Sequence, residues 1–567
     1  MTMPARARWI LPEPPDADQV RDYAHGFGLA DVVVNLALQR GFVDQEDLER
    51  FLYPRLNDLS DPFQLPGIGP AIARIFEAVD RSESVVLYGD YDVDGVSSIA
   101  LLDHILRAYG LTPRRFLPTR LEEGYGLSAK GIAHSFADSP PELLIAADCG
   151  TNSRDEAKLL SDMGIDLIVV DHHEPSSAGI ADCVAVVNPK LGPTFHYLCT
   201  AGVVFKIAHA LLKTRPLPGF DLKEYLDIVA LGTIADIVPL EDENRIFARR
   251  GLQQLDRTIH PGLVALKEIA GVKGQSSAQD VGFKLGPRLN AAGRLDTAET
   301  SLNLLLSQDT DEAEFLAAEL NSQNRERQAL ELGTRNEAES LIAAMPSEHR
   351  AHAIVVGARE WHPGVVGIVA SRISKQYHRP TFVIGFDEVG LGKGSGRSVE
   401  GISLVEALDH ARDLIESGGG HEMAAGVTLR EEQLDAFRIR VIESVVSQAT
   451  RDALIPKLYI DAELSLADLG LDLLESYELL RPFGAANAQP LFMSRQVRID
   501  SAPRVIKEKH LKFRFSQNGT FHDGIYFNAA ELDLPRPPWD IAYTIDRNEW
   551  RGRVSLSMVI QAVRKAG

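Results

Sequence analysis

Three separate apolar runs in this chain each end in carboxylates or imidazoles. Residues 85–87 run into Tyr88-Gly89-Asp90-Tyr91-Asp92-Val93-Asp94-Gly95, residues 143–147 into Asp148-Cys149-Gly150, and residues 167–170 into Asp171-His172-His173. Such runs suit strands buried on both faces, the pattern of a parallel sheet. In an open parallel sheet, ligands gather outside the carboxyl ends of the strands. Asp oxygens together with His nitrogens suit Mn²⁺, Mg²⁺ or Zn²⁺ rather than a thiolate-bound metal.

A further carboxylate joins them. Asp236, in Gly-Thr-Ile-Ala-Asp-Ile-Val-Pro, falls inside an apolar helix expected over 226–240. An acid there is costly to bury unless it is paired or metal-bound. Asp92, Asp94, Asp148, His172 and Asp236 are therefore the candidate ligands. Consecutive strand side chains point to opposite sides, so one histidine of the pair can bind metal while the other faces substrate. Five ligands with open positions suit two metals about 3.5–4 Å apart, an arrangement that hydrolyses phosphate esters. Blander readings exist for each part. Asp90, Asp92 and Asp94 also match the start of an EF-hand loop, but that loop needs Glu at its twelfth position, where Leu101 stands. Asp148 could simply cap a helix starting near Asn152, which leaves His172-His173 unexplained.

Cations must hold the substrate phosphates. Arg120 follows a short strand at Phe116, and Pro287 to Arg294 places Arg288 and Arg294 beside Asn290. Ser395-Gly396-Arg397-Ser398 reads as a glycine loop, and Gly418 to Gly426, with His421, as a second cradle. Arginine grips phosphate in bidentate fashion, and backbone N–H groups in glycine-rich loops can approach an anion. No phosphate-binding loop of the P-loop type and no nucleophile elbow is present, which disfavours an ATPase, a dehydrogenase or a serine hydrolase.

At 567 residues, roughly three to four domains are expected. Residues 1–80 read as a helical, loop-rich extension and 81–305 as an α/β domain with a mostly parallel sheet. Residues 306–348 hold a long helix, polar on nearly all sides in its second half, as helices between domains often are. Residues 349–455 read as a second α/β domain and 456–567 as a small β-barrel. There, Arg495, Arg498, Arg504, Lys507, Lys509, Lys512 and Arg514 mix with Phe513, Phe515, Tyr526 and Phe527. Basic residues interleaved with rings suit single-stranded nucleic acid, where bases stack and the backbone meets cations; the blander reading is a solvated edge strand whose phenylalanines belong to the core.

The net charge of −21 argues against indiscriminate nucleic-acid binding. It leaves room for a local basic channel, since exposed charges are screened beyond roughly 10 Å. Three cysteines fit neither a zinc site nor a disulfide framework, which suits a reducing cytoplasm. There is no membrane-length apolar run and no apolar signal core near the N-terminus.

With these residues together, the chain resembles the DHH phosphoesterase family over nearly its whole length. Residues 89–95, 148–151, 171–173 and 232–236 resemble its four motifs. Residues 287–294 are similar to a stretch typical of one nuclease branch, and 361–367 and 419–426 resemble the DHH-associated domain. The resemblance implies a cleft- or ring-forming pair of α/β domains joined by the long helix, with a C-terminal OB-fold. It implies a single-strand-specific 5′→3′ exonuclease holding Mn²⁺ or Mg²⁺, two ions in all, on Asp92, Asp94, Asp148, His172 and Asp236. His173 would contact the scissile phosphate, Arg294 would help stabilise its added charge, and Arg120, Ser395 and Arg397 would anchor a 5′ phosphate. Pyrophosphatases of the family carry a histidine where Tyr88 stands here. Implied partners are single-stranded DNA, a single-strand-binding protein and a helicase. Two rivals are a small-substrate phosphodiesterase, typically without the barrel, and a non-catalytic DNA-binding scaffold, which would lack the metal ligands.

Overall fold

The computed structural model describes residues 7–119, 123, 124, 126–136, 139–295, 297–450, 452–550 and 552–567. Two compact units emerge from the packing. One comprises Glu46–Glu326 with Leu480–Ala488, the other Met1–Gln45, Arg327–Leu479 and Gln489–Gly567.

The first unit is built on five strands: β1 (Val85–Gly89), β2 (Arg114–Phe116), β3 (Leu143–Ala147), β4 (Asp166–Val170) and β5 (Ala185–Val187). All four pairings are parallel, in the order β2-β1-β3-β4-β5. β1 and β3 are buried along their full length, which is why their sequences are continuous apolar runs rather than alternating ones. The chain moves from β1 to β2 on one side and then to β3 on the other. That reversal opens a crevice beyond the carboxyl ends of β1 and β3.

Helices α1 (Val93–Ala108), α2 (Thr200–Thr214), α3 (Leu226–Ala235) and α4 (Asp242–Asp256) pack in the same unit. The expected helix over 226–240 is shorter than the sequence suggests. It ends at Ala235, with Asp236 as its C-cap residue, and Ile237 adopts φ 62°. Asp236 therefore closes the helix, its N–H still bonded to Gly232 O at 2.9 Å, and the chain turns away at Ile237. Helix α5 (Gly286–Leu295) follows, and α6 (Thr310–Ala344) is the long connector.

The division between the two units falls within α6. Its polar second half is not simply solvated. Glu331 is buried and pairs with Arg372 at 2.5 Å and Arg327 at 3.3 Å, and Glu337 accepts a bond from Trp361 Nε1 at 2.7 Å.

In the second unit, β6 (Ile354–Arg359), β7 (Thr381–Phe386), β8 (Leu391–Arg397), β9 (Ser417–His421) and β10 (Ala424–Arg430) form a sheet in the order β9-β10-β8-β7-β6. Only β6 and β7 are parallel. Helix α7 (Pro363–Tyr377) packs on β7 and β8. The glycine-rich segments expected as loops are thus strands. Gly392, Gly394 and Gly396 lie opposite Phe386, Ile384 and Phe382 in the register. A Cβ at any of the three would fall 2.4–2.5 Å from the facing side chain. The glycines make room for their cross-strand partners, a pairing that stabilises sheets.

The C-terminal strands are β11 (Phe492–Ile499), β12 (His510–Gln517), β13 (Thr520–Tyr526), β14 (Trp539–Trp550) and β15 (Arg553–Lys565). They pair in the order β11-β14-β15-β13-β12, and β12 returns to β11 through Arg498↔Ser516 and Ile499↔Phe515. This closed five-stranded ring is the OB-fold arrangement. Arg8–Ile10 adds a strand alongside Lys457–Tyr459, a pairing that the helical reading of 1–80 did not contain. No helix among the described residues is long and apolar enough to cross a membrane.

Candidate metal centre and nucleic-acid interface

Each expected ligand comes from the end of a strand or helix. Asp90 and Asp92 follow β1, and Asp148 follows β3 in a left-handed conformation, φ 64°. Asp171, His172 and His173 follow β4. Asp92 Oδ1 caps α1 through the N–H groups of Asp94 and Gly95, at 2.9 and 3.1 Å. Asp94, in the first turn of α1 and 1% exposed, places its carboxylate at the N-terminus of α2. Its two oxygens accept the N–H groups of Thr200 (2.7 Å) and Ala201 (2.9 Å), where the helix dipole favours an anion. Gly232 lets α3 approach it: a Cβ there would lie 2.6 Å from Asp94 Oδ1. Thr200 Oγ1 donates to Asp148 Oδ1 at 2.9 Å.

These side chains converge. His172 Nε2 is 3.5 Å from Asp148 Oδ1, 3.5 Å from Asp236 Oδ2 and 4.0 Å from Asp94 Oδ2. Donor atoms of Asp94, His172 and Asp236 lie within 4.8 Å of one another, as do those of Asp148, His172 and His173 and those of Asp90, Asp92 and Asp148. Asp148 and His172 each belong to two of these groups. Asp90 was not among the expected ligands, although it stands in the same motif directly after a buried strand.

The charges are poorly compensated by protein alone. Burial pushes Asp90 up to about 7, with repulsion from Asp92 adding to it. Burial, then Asp94 and Asp92, lift Asp236 to about 8. Asp94 and Asp148 are raised too, Asp148 well above the ordinary carboxylate range, first by burial and then by its acidic neighbours. Asp90 Oδ1 is buried without a hydrogen-bond partner. Divalent cations bound by hard oxygen and imidazole donors would relieve this strain. Tyr88 does not contribute a ligand: it is fully buried, and its hydroxyl donates to Gly126 O at 3.0 Å.

Asp171 lies behind the histidines. Its Oδ1 is 2.7 Å from His173 Nδ1 and accepts the N–H groups of His172 (2.8 Å) and His173 (3.2 Å), while Oδ2 accepts Thr151 N–H at 3.0 Å. Burial opposes ionisation of Asp171, but these bonds outweigh it and hold the carboxyl well below its ordinary range.

Residues 84–233 match the DHH family N-terminal domain, 350–448 the DHHA1 domain and 460–562 the RecJ OB domain. The single-stranded-DNA-specific exonuclease RecJ of Bacillus subtilis is 36% identical over 566 residues, covering 98% of this chain and 71% of that protein. The Escherichia coli protein of the same name is 34% identical, covering 93% of this chain and 95% of its own length. The chain belongs to the RecJ family. A crystal structure of RecJ from Thermus thermophilus in complex with Mn²⁺ superposes with TM-score 0.85 at 32% identity, over 100% of this chain and 80% of that one; a complex with Mg²⁺ gives 0.79.

The expected phosphate-binding residues have varied settings in this RecJ-family fold. Arg120 lies outside the described residues. Asn290 Oδ1 accepts Val93 N–H at 3.1 Å, and Arg288 bonds Asn321 Oδ1 (3.1 Å) and Lys284 O (2.7 Å), so both are engaged within the protein. Arg294 occupies the last turn of α5, half-buried. Ser395 and Arg397 project from β8 beside α7, close enough that a Cβ on Gly367 would lie 3.2 Å from Ser395 Oγ and 3.5 Å from Arg397 Nη2. Arg397 donates to Gly396 O at 2.7 Å, forms no ion pair among the described residues, and is lowered from its ordinary value by burial. His421 ends edge strand β9, exposed.

On the RecJ OB barrel, three of the four expected stacking rings belong to the core. Phe513 and Phe515 are 2% and 0% exposed because β12 alternates inward rings with outward Lys512 and Arg514, and Tyr526, 4% exposed, ends β13. Phe521 and Phe527 are exposed, and the Arg514 guanidinium lies 5.2 Å from the Phe521 centroid. Several cations of the basic stretch are paired, Arg495 with Glu463 and Lys512 with Asp523, both at 2.9 Å.

Proposed function

We propose that this chain is a metal-dependent exonuclease specific for single-stranded DNA, working 5′→3′ and releasing 5′-mononucleotides. The observation that carries the reading is the convergence of Asp90, Asp92, Asp94, Asp148, Asp236 and His172 at the carboxyl ends of β1, β3 and β4 and the C-terminus of α3, in a chain of the RecJ family. Asp92, Asp94, Asp148, His172 and Asp236 would hold Mn²⁺ or Mg²⁺, and Asp148 belongs to two of the converging donor groups. When bound, the metal supplies a Lewis acid and an activated water. His173, held by Asp171, donates to the scissile phosphate, and Arg294 adds positive charge as negative charge develops there.

Ser395 and Arg397 bind the 5′ phosphate; a half-buried guanidinium without a carboxylate partner suits that role. Arg120 and His421 add contacts to the strand. Arg288 and Asn290, bonded within the protein, position α5 against the Asp92 loop. In this reading residues 81–305 form the phosphoesterase domain, 306–348 the connector, 349–455 the DHH-associated domain and 456–567 the strand-binding OB-fold. A single-strand-binding protein and a helicase act beside it in cytoplasmic DNA repair.

The test is digestion of 5′-labelled and 3′-labelled oligonucleotides, single-stranded and blunt duplex, with Mn²⁺ or with EDTA. Release of the 5′ label as a mononucleotide, only from single strands and only with metal, supports the assignment. Cleavage of dinucleotides but not of long strands would favour a small-substrate phosphodiesterase instead.

A further inference from the structure

The metal centre takes Asp236 from the C-terminal end of α3. The other end of α3 borders a second concavity in the same unit, about 360 Å³ in volume. Leu226, the first residue of α3, lines it. Ten residues of helix at 1.5 Å per residue separate the two ends by roughly 15 Å, so this pocket is distinct from the metal centre.

Charge sets it apart. Arg55, Lys223, Arg250 and Arg257 line it, and none of its lining residues is acidic. The chain carries 80 acidic and 59 basic residues, so a pocket with four cations and no acid runs against the composition. Arg55 reaches Glu49 Oε1 at 2.9 Å. Among the described residues the other three form no ion pair. Arg250 Nη1 donates to Gln253 Oε1 and Arg257 Nε to Gln254 Oε1, both at 3.1 Å and both to neutral acceptors. Arg250 Nε is buried and has no acceptor, a costly state for a donor.

We propose that this pocket binds a small oligophosphate of the nucleoside di- or triphosphate class. Guanidinium forks match phosphate oxygens in bidentate fashion, and a lysine adds a compact point charge. A single inorganic ion would leave most of the volume and several cations unused. The volume falls in the range of small-molecule sites, about 300–1,000 Å³. Leu56 and Leu226 supply an apolar wall, and Asn57 offers amide hydrogen bonds to a ring edge.

The test uses the full chain carrying Asp148→Ala, in EDTA, so that binding of phosphates through metal at the catalytic centre is removed. Calorimetric titration with inorganic tripolyphosphate, ATP and GTP should show saturable, one-to-one binding. Adding Arg250→Gln and Arg257→Gln should weaken it by about tenfold or more, as loss of charge-assisted hydrogen bonds does, with an unchanged circular dichroism spectrum. If that variant fails to fold, Lys223→Gln, at an exposed side chain, must still weaken binding. Absence of saturable binding, or equal affinity in the variants, overturns the proposal. So does loss of affinity for a single-stranded oligonucleotide alone, which would make the pocket part of a DNA track.

Discussion

Asp171 Oδ1 sits 2.7 Å from His173 Nδ1 while accepting the backbone N–H groups of both His172 and His173. One carboxylate thereby fixes the ring of one histidine and the main chain of both. Carboxylates behind metal-site histidines are worth roughly 10–100-fold in activity or metal affinity. Asp171→Asn should lower kcat by that factor in Mn²⁺ while near-ultraviolet circular dichroism stays unchanged. An unaltered kcat would mean that the histidines are oriented by something else.

Asp148 joins two ligand groups and is held by Thr200 Oγ1. Asp148→Ala should abolish cleavage and leave single-strand affinity within a few-fold of the parent. Wild-type protein should gain about 2.7 kcal/mol of stability at a metal concentration a hundred times Kd, and the variant should gain little of it. Thermal melts with and without Mn²⁺ measure the difference, and persistent cleavage would refute the ligand assignment.

Arg397 tests the 5′-phosphate assignment. Arg397→Ala should raise KM for 5′-phosphorylated strands about tenfold or more, the loss expected for hydrogen bonds to a charged group. Strands with a 5′-hydroxyl should be cleaved as by wild type. Equal effects on both substrates would remove Arg397 from that role.

His104, on α1, predicts acid sensitivity. Burial, assisted by His260, lowers its pKa to about 4 from an ordinary 6.5, and its Nε2 is buried without a partner. Its ring faces Tyr225 and His260, at 5.0 and 5.9 Å between centroids, with Asp103 and Arg107 as charged neighbours. Between pH 6.5 and 4 the unfolded chain binds the proton and the folded one does not. Stability is therefore full above about 6.5 and falls as pH drops toward 4, by roughly 3 kcal/mol from this group. His104→Phe should flatten the slope of Tm against pH across that window. An identical slope would place the acid sensitivity elsewhere.

Lys206, fully buried, pairs with Glu243 at 2.5 Å and donates to Ser60 O at 3.0 Å; Glu243 in turn accepts Ser60 N–H at 2.7 Å. Breaking one side of a buried pair typically costs about 3–5 kcal/mol, whereas replacing both with apolar residues often costs little. Lys206→Met should be destabilised by about that amount and Lys206→Met with Glu243→Met by clearly less, as chemical denaturation would show. Additive losses would argue against coupling.

The strand ends were legible because uninterrupted apolar runs mark buried parallel strands, and an acid or histidine placed directly after one has few alternatives. Asp92, Asp94, Asp148 and His172 could be read that way, and Asp90 satisfies the same rule. Asp171 was visible only as part of a motif, since its role depends on two backbone N–H groups and a ring that sequence does not position. Alternation along 510–517 already separates Leu511, Phe513 and Phe515 from Lys512 and Arg514, a signal that composition obscures. The strand glycines were harder. Gly392, Gly394 and Gly396 read as a loop until their cross-strand neighbours, Phe386, Ile384 and Phe382, are known.

The crowding of Asp90, Asp94, Asp148 and Asp236 also ties cation binding to protons. Burial and mutual repulsion raise all four above the ordinary carboxylate range, whereas a carboxylate must shed its proton to hold a divalent cation. The crevice that gathers these acids therefore makes its affinity for metal a function of pH, rising as the solution becomes more alkaline.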